Sequence, residues 1–309
     1  MDISAVVVSF NSEKFLEQNL SSLFRQTVAF KQVIVVDNGS SDDSAGIIGK
    51  FPRLQKIISV TNRGYAAAAN LGIASANADL VLIANADIYL ADDFNQQVLR
   101  FFAEHPQTSM LAPLLLRFDR LTIDSAGQTY SLALHPREIG FNKKFDRARL
   151  CEREVFSVCG AATVFSRRDL EKLKIGAEYY DEDFFMFWED FDIGWRAKLL
   201  GLKAFFVPQA VAYHFRSGTL KKTWLSRFSL AMSRPAELRY HLLKNRYLTL
   251  IKNFRFARFW WTLPFILGKD LLWTCALTIG APKIIIAVAH SGDIFKRSLQ
   301  KRRQIQGHE

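Results

Sequence analysis

The chain has 309 residues, 49% of them hydrophobic, which suits one large domain or one domain with a sizeable appendage and excludes a disordered chain. Its net charge of +11 is uneven: from Arg216 to Glu309 there are 18 Lys+Arg against 4 Asp+Glu, and the first 215 residues hold 23 against 26. Three well-separated cysteines, Cys151, Cys159 and Cys275, exclude a CxxC metal pattern and a paired disulfide framework, and predict a reducing compartment.

The N-terminus lacks a basic start and a small-residue cleavage site, so a cytoplasmic location is expected. Ile3 to Phe10 is β-branched and reads as a buried strand. Asn11-Ser12 offers an N-cap to a helix in which Phe15, Leu16, Leu20, Leu23 and Phe24 recur at helical spacing. Gln32 to Asp37 is a second strand, ending in turn formers through Asp42, and a short helix runs to about Phe51. Lys56 to Ser59 is a third strand, followed by Thr61-Asn-Arg-Gly-Tyr65 and an alanine-rich helix over Ala66–Ala76. Leu80-Val-Leu-Ile-Ala-Asn-Ala-Asp87 is a fourth strand that stops at a carboxylate, and a helix from Asp92 or Asp93 runs to Glu104.

Strands alternating with helices predict a largely parallel sheet with right-handed crossovers. Ligands of such sheets sit outside the carboxyl ends of the strands, where Asp37, Asn62-Arg63 and Asp87 stand together. That arrangement predicts a nucleotide-sized pocket. With no GxGxxG and no GxxxxGK[ST], neither a dinucleotide fingerprint nor a P-loop is expected. Asp37 is a candidate for base or ribose and equally an Asx-turn acceptor; Arg63 suits diphosphate oxygens and equally a solvated loop. Asp87 is either a hard oxygen ligand for Mg²⁺ or Mn²⁺ or a cap of the next turn.

Two short strands are expected at Ser109–Ala112 and Leu114–Phe118, and a mobile loop or exposed charged connection over His135–Gly140 and Lys143–Arg147. A strand is expected over Val155–Ser166, where Gly160-Ala161-Ala162 allows a ligand to approach the backbone. Tyr180 to Asp192 places six acids among six aromatics, so those acids must face a cleft, a cation or water. Glu189 and Asp190 open a helix through Leu200. They are either charges stabilising its N-terminus or a general base in an aromatic-walled pocket. Strands at Lys203–Pro208 and Val211–His214 follow, the second ending at a histidine.

The tail carries Lys221, Lys222, Arg227, Arg234 and further basic residues up to Arg258, then Trp260-Trp261 and an apolar run Leu271–Ala289 broken by Gly280, Pro282 and Lys283. Basic residues with Trp and Phe predict helices lying in the interface of an anionic membrane rather than spanning it. The long apolar runs and the missing recognition motif argue against nucleic acid. Two parts are thus expected, a catalytic 1–215 and a basic, helical, membrane-associating 216–309.

The segments Val6-Val-Val-Ser-Phe-Asn11, Val35-Val-Asp-Asn-Gly-Ser-Ser-Asp42, Asn62-Arg-Gly-Tyr65, Asn85-Ala-Asp87 and Trp188-Glu-Asp190, in this order, resemble the family 2 inverting glycosyltransferases of the α/β GT-A fold. Asp124-Ser-Ala-Gly127, Cys159-Gly-Ala-Ala162, Phe184 to Asp190, Val207-Pro208 and Lys244-Asn-Arg-Tyr247 resemble the bacterial rhamnosyltransferase branch. The resemblance implies that Asp37, Asn62, Arg63 and Asn85 hold the nucleotide sugar, with Arg196 holding phosphate or pairing with nearby carboxylates. It implies a divalent cation on Asp87 and His214, and Asp190, beside Glu189, as general base. The implied donor is dTDP-L-rhamnose and the implied acceptor a polyprenyl-diphosphate-linked glycan of cell-surface polysaccharide such as O-antigen, at the cytoplasmic face of the inner membrane. UDP-galactofuranose, UDP-galactose or UDP-glucose are alternative donors. The family's DxD signature is here Asn85-Ala-Asp87, with one certain carboxylate, which leaves a non-catalytic nucleotide-sugar-binding scaffold as a further alternative.

Overall fold

The computed structural model describes residues 1–215 and 235–307. The basic residues Lys221, Lys222, Arg227 and Arg234 lie outside the described residues. The described residues form two compact units, the first comprising 1–129, 138–185 and 189–215, the second 130–137, 186–188 and 235–307.

In the first unit, β1 (Ile3–Ser9), β2 (Gln32–Asp37), β3 (Gln55–Ile58) and β4 (Leu80–Asn85) are joined through α1 (Glu13–Phe24), α2 (Ser44–Gly49) and α3 (Tyr65–Ser75). They pair in parallel in the spatial order β4-β1-β2-β3. β1, β2 and β4 are buried on both faces, as parallel strands covered by helices must be, while β3 at the sheet edge is largely exposed. Alanine fits α3 for the same reason: the helix lies so close to the sheet that a Cβ on Gly72 would collide with Val6 Cγ1.

The chain continues through β5 (Ile88–Leu90), α4 (Phe94–Glu104), β6 (Thr108–Arg117), β7 (Ile123–Ser125), β8 (Gln128–Tyr130) and β9 (Pro136–Glu138). It ends this unit with β10 (Arg153–Val155), β11 (Ala162–Ser166), α5 (Arg167–Lys172), α6 (Glu189–Leu199) and β12 (Lys203–His214). The sheet grows past β4 in the order β11-β6-β12-β10, with three of these four new pairings antiparallel. Half of it is therefore parallel, where a largely parallel sheet is expected from the first four strands.

Three expectations are corrected. Pro113 does not split β6, a single buried ten-residue strand. Lys203 to His214 is one strand whose register shifts between Val207 and Val211, so Pro208 is absorbed by an irregularity rather than ending the strand. The expected mobile loop is tied down by backbone bonds from Ile139 N to Gly127 O (2.8 Å) and Phe145 N to Leu121 O (2.7 Å).

The second unit is built on α7 (Ala236–Asn253), against which α10 (Pro282–Ala289) and α11 (Gly292–Gln306) pack; α8 (Phe256–Phe259) and α9 (Leu263–Gly280) lie between them in the chain. The apolar run Leu271–Ala289 is not one helix, because it breaks between Gly280 and Pro282. Among the described residues, Phe256–Gly280 is the one helical stretch long and apolar enough to cross a membrane, and 11% of its most apolar window is buried.

Candidate active site

Register places the site. Parallel pairing sets Ser9 beside Asp37 and Val8 beside Asn85, so β1, β2 and β4 end at one edge. Asp37 is buried there, and its Oδ1 accepts from Ser40 N (3.2 Å) and Ser40 Oγ (2.5 Å), an Asx turn that fixes the carboxylate. Asn38, missed as a site residue, staples the next strand end: its Nδ2 donates to Asn62 Oδ1 (2.9 Å) and Gly64 O (3.1 Å), and its Oδ1 accepts from Arg63 N (3.0 Å). Gly64 has φ +85°, and a Cβ there would lie 2.6 Å from Phe185 O, so only glycine fits. Arg63 itself is half-exposed, with Glu182 3.9 Å away.

Beyond β4, Asp87 and His214 come together. His214 Nε2 lies 3.3 Å from Asp87 Oδ2, and its Nδ1 lies 2.7 Å from Oδ2 of the fully buried Asp124. Antiparallel pairing of β5 with β12, which sets His214 opposite Ile88, makes this meeting. Burial opposes charge on the imidazole, but bonds to Asp124 and Asp87 outweigh it and raise its pKa to about 9. Once Nε2 has given up its proton, a carboxylate oxygen and an imidazole nitrogen on one edge, the ring oriented by a second carboxylate, make a donor set that fits a divalent cation. Asn85 Oδ1 adds a buried amide oxygen with no hydrogen-bond partner. A second convergence, Glu138, Cys159 and Asp190 with ligand atoms within 4.8 Å of one another, fits Mg²⁺ or Mn²⁺ less well. Burial pushes the Cys159 thiol well above its usual range, and hard cations select oxygen over sulfur.

At the start of α6, Glu189 and Asp190 have different surroundings. Glu189 is buried with Oε2 unpartnered, and burial, reinforced by the Asp190 charge, pushes its pKa well up. Asp190 is half-buried, and its Oδ2 accepts from Gly160 N (2.8 Å) and Gln128 Nε2 (2.9 Å). Its Oδ1 accepts from the adjacent Phe191 N (2.7 Å). Burial raises its pKa, while the bonds from Gly160, Phe191 and Gln128 hold the rise in check. The small residues around Gly160 thus make room for Asp190: a Cβ there would lie 3.0 Å from the Asp190 Cβ.

Gln128 was not legible as a site residue. Its single Nε2 donates to Glu138 Oε1 (2.9 Å) as well as to Asp190, and Glu138 is in turn bonded by Ser125 Oγ. Replacing Gln128 by leucine is expected to remove a bond that favours ionised Asp190. The acid limb of kcat/KM then moves to higher pH while donor KM stays within about threefold, as a pH–rate series would show.

Arg196 is a correction. It is 2% exposed, and its three nitrogens donate to Asp192 Oδ2 (3.1 Å), to Leu173 O and to Tyr179 O (2.7 Å). A guanidinium spent on one carboxylate and two carbonyls inside the unit does not hold donor phosphate.

The second unit includes Met186–Trp188, the residues just ahead of Glu189 in the chain. Phe187 and Trp188 have φ of 67° and 72°, a conformation that costs of order 1–3 kcal/mol per residue. Asn245 Nδ2 holds this turn by donating to Met186 O (2.6 Å) and Phe187 O (2.8 Å).

The sequence profile described as glycosyl transferase family 2 matches residues 4–174, more than half of the chain. The chain belongs to glycosyl transferase family 2. Poly-beta-1,6-N-acetyl-D-glucosamine synthase of Staphylococcus aureus (strain COL) is 26% identical over 228 residues, covering 73% of this chain and 52% of that protein. The chain therefore spans about half the length of the curated relatives it matches. Among solved structures, S. aureus TarS 1-349 in complex with UDP-GlcNAc superposes with a TM-score of 0.59 at 18% identity, covering 99% of this chain and 81% of that one. The mannosyltransferase PcManGT from Pyrobaculum calidifontis, in complex with GDP-Man and Mn²⁺, gives a TM-score of 0.55 at 15% identity, covering 98% and 84%. These likenesses show the GT-A fold.

Proposed function

We propose that this chain is an inverting glycosyltransferase that moves a sugar from a nucleoside-diphosphate donor to a hydroxyl of a lipid-linked cell-surface glycan. The observation that carries the reading is Asp190, whose Oδ2 is clamped by Gly160 and Gln128 while Oδ1 has only its neighbour's N–H. Asp190 takes the proton from the acceptor hydroxyl as that oxygen bonds to the anomeric carbon. The bond from that carbon to the diphosphate oxygen breaks on the opposite face, and the nucleoside diphosphate leaves with the bond's electron pair. Glu189 is not assigned as base: burial pushes its pKa well up, and its Oε2 is enclosed without a hydrogen-bond partner.

Asp37 is assigned to the base or ribose. Asn62, whose Oδ1 is committed to Asn38 and Gly64, offers its amide NH₂, and Arg63 offers its guanidinium to the diphosphate. Asp87 and His214, with Asn85 two residues ahead of Asp87, would hold Mg²⁺ or Mn²⁺, which would supply neutralisation of the departing diphosphate. The motifs around Asp124, Cys159 and Lys244 support dTDP-L-rhamnose as donor. A second reading, UDP-N-acetylglucosamine, is favoured by the names of the matched synthase and of the TarS complex. Leu267, Leu271, Leu272 and Ile279 stand exposed on α9, which supports peripheral attachment to the cytoplasmic face of the inner membrane.

Purified protein in detergent, given a lipid-linked acceptor and a panel of nucleotide sugars, tests the reading. Release of nucleoside diphosphate is expected to require the cation and to fall at least about 100-fold in Asp87→Ala. Turnover that ignores both the cation and this substitution removes the metal assignment. Release from a UDP-sugar but not from dTDP-rhamnose replaces the donor and keeps the rest.

A further inference from the structure

Arg246 in α7 is a buried arginine with one end unused. Its Nε lies 2.6 Å from Asp270 Oδ1 and its Nη1 donates to Ala133 O (3.0 Å), while Nη2 is buried without a hydrogen-bond partner. A guanidinium presents its donors as a planar fork matched to phosphate oxygens, so an unspent Nη2 marks a position for an anion. Two further cations, Lys269 and Arg137, act on the same spot. Burial and then the Arg246 charge lower the Lys269 pKa to about 7, and Arg137 contributes to the same effect. His135, whose ring sits 4.8 Å from that of Trp188, is pushed down to about 3 by burial and then by the Lys269 charge. Three cations thus face one carboxylate, Asp270, and the excess positive charge has no counter-anion among these groups.

We propose that Arg246, Lys269 and Arg137 form a binding site for the phosphate or diphosphate headgroup of a membrane lipid. A buried lysine whose charge is opposed by burial and by two arginines is relieved by an anion, which a phosphate supplies. The choice of a lipid over a soluble phosphate comes from α9, the helix that carries Lys269. On either side of Lys269 in the chain, Phe265, Leu267, Leu271 and Leu272 are exposed apolar side chains, suited to acyl or prenyl chains below a headgroup. That the lipid is the carrier of the sugar acceptor rests on the glycosyl-transfer reading.

The test is sedimentation of the full chain with phosphatidylcholine vesicles doped with either a polyprenyl diphosphate or phosphatidylglycerol at matched surface charge. The wild type is expected to prefer the diphosphate vesicles by about tenfold or more, the worth of a charge-assisted hydrogen bond. The double variant Arg137→Gln/Lys269→Gln is expected to lose that preference and keep its binding to phosphatidylglycerol. Arg246→Lys, which keeps the charge and loses the fork, is expected to weaken it as well. Equal binding of wild type to both vesicles, or an undiminished preference in the double variant, overturns the proposal. Thermal stabilisation by inorganic pyrophosphate alone as large as that by the diphosphate vesicles overturns the lipid assignment. No donor or turnover enters this measurement, so its failure is separate from failure of Asp190 as base.

Discussion

Asp190→Asn is expected to lower kcat by roughly 10²–10⁴-fold, the range of a general base, and to leave donor binding within about twofold. Asparagine preserves the volume and retains an oxygen to accept from Gly160 N and Gln128 Nε2, so the loss reports basicity rather than packing. The pH dependence follows in sign. Burial raises the Asp190 pKa above the ordinary 3.8, so the base is protonated in acid and kcat/KM climbs as pH rises through that higher value. In Gln128→Leu the climb begins at still higher pH. Equilibrium titration of donor binding alongside steady-state rates separates the two effects. A variant that loses donor binding and turnover together would make Asp190 part of the donor site and not the base.

The second large effect is on stability. Arg196→Met is expected to destabilise the first unit by about 3–5 kcal/mol, the usual cost of breaking a buried ion pair from one side. The change takes the cation from fully buried Asp192 and the donors from the carbonyls of Leu173 and Tyr179. Those carbonyls lie in the connection between α5 and α6, so the loss is felt where the helix bearing Asp190 begins. Arg196→Lys is expected to recover part of the loss, since an ammonium keeps the charge but not the three-way fork. Denaturant unfolding measures it, and a Met variant as stable as wild type would show that Arg196 is not a structural lock.

The parts of the fold that could be read in the sequence are those with local periodicity. The strands ending at Asp37 and Asn85 are short apolar runs closed by turn formers, and the alanine-rich α3 follows from propensity and from the space beside Val6. Boundaries failed where tertiary context overrides local signals: Pro113 sits within β6, and Pro208 within the irregular middle of β12. Of the apolar stretch Val155–Ser166 only Val155, which ends β10, and Ala162–Ser166, which form β11, are strand, and between them Ser157 and Gly160 bond the Asp190 carbonyl and carboxylate.

The candidate site was legible in its ends and not in its supports. Asp87 and His214 each terminate an apolar run, a pattern visible in one dimension, and they meet. Asp124, Gln128 and Asn38 act through partners up to 90 residues away, and no periodicity marks such a role. Asp124-Ser-Ala-Gly127 and Lys244-Asn-Arg-Tyr247 did stand out as motifs. Their roles, orienting His214 and holding the turn before Glu189, needed coordinates. Arg196 misled because a cation two turns from Asp190 looks the same in sequence whether it faces a ligand or the core.

The most direct test of the central claim is the anomeric configuration of the product, read by proton NMR from the purified chain with its active donor and acceptor. Asp190 acting as base for one in-line displacement predicts a glycoside of configuration opposite to the donor's. A product that keeps the donor's configuration would contradict that account.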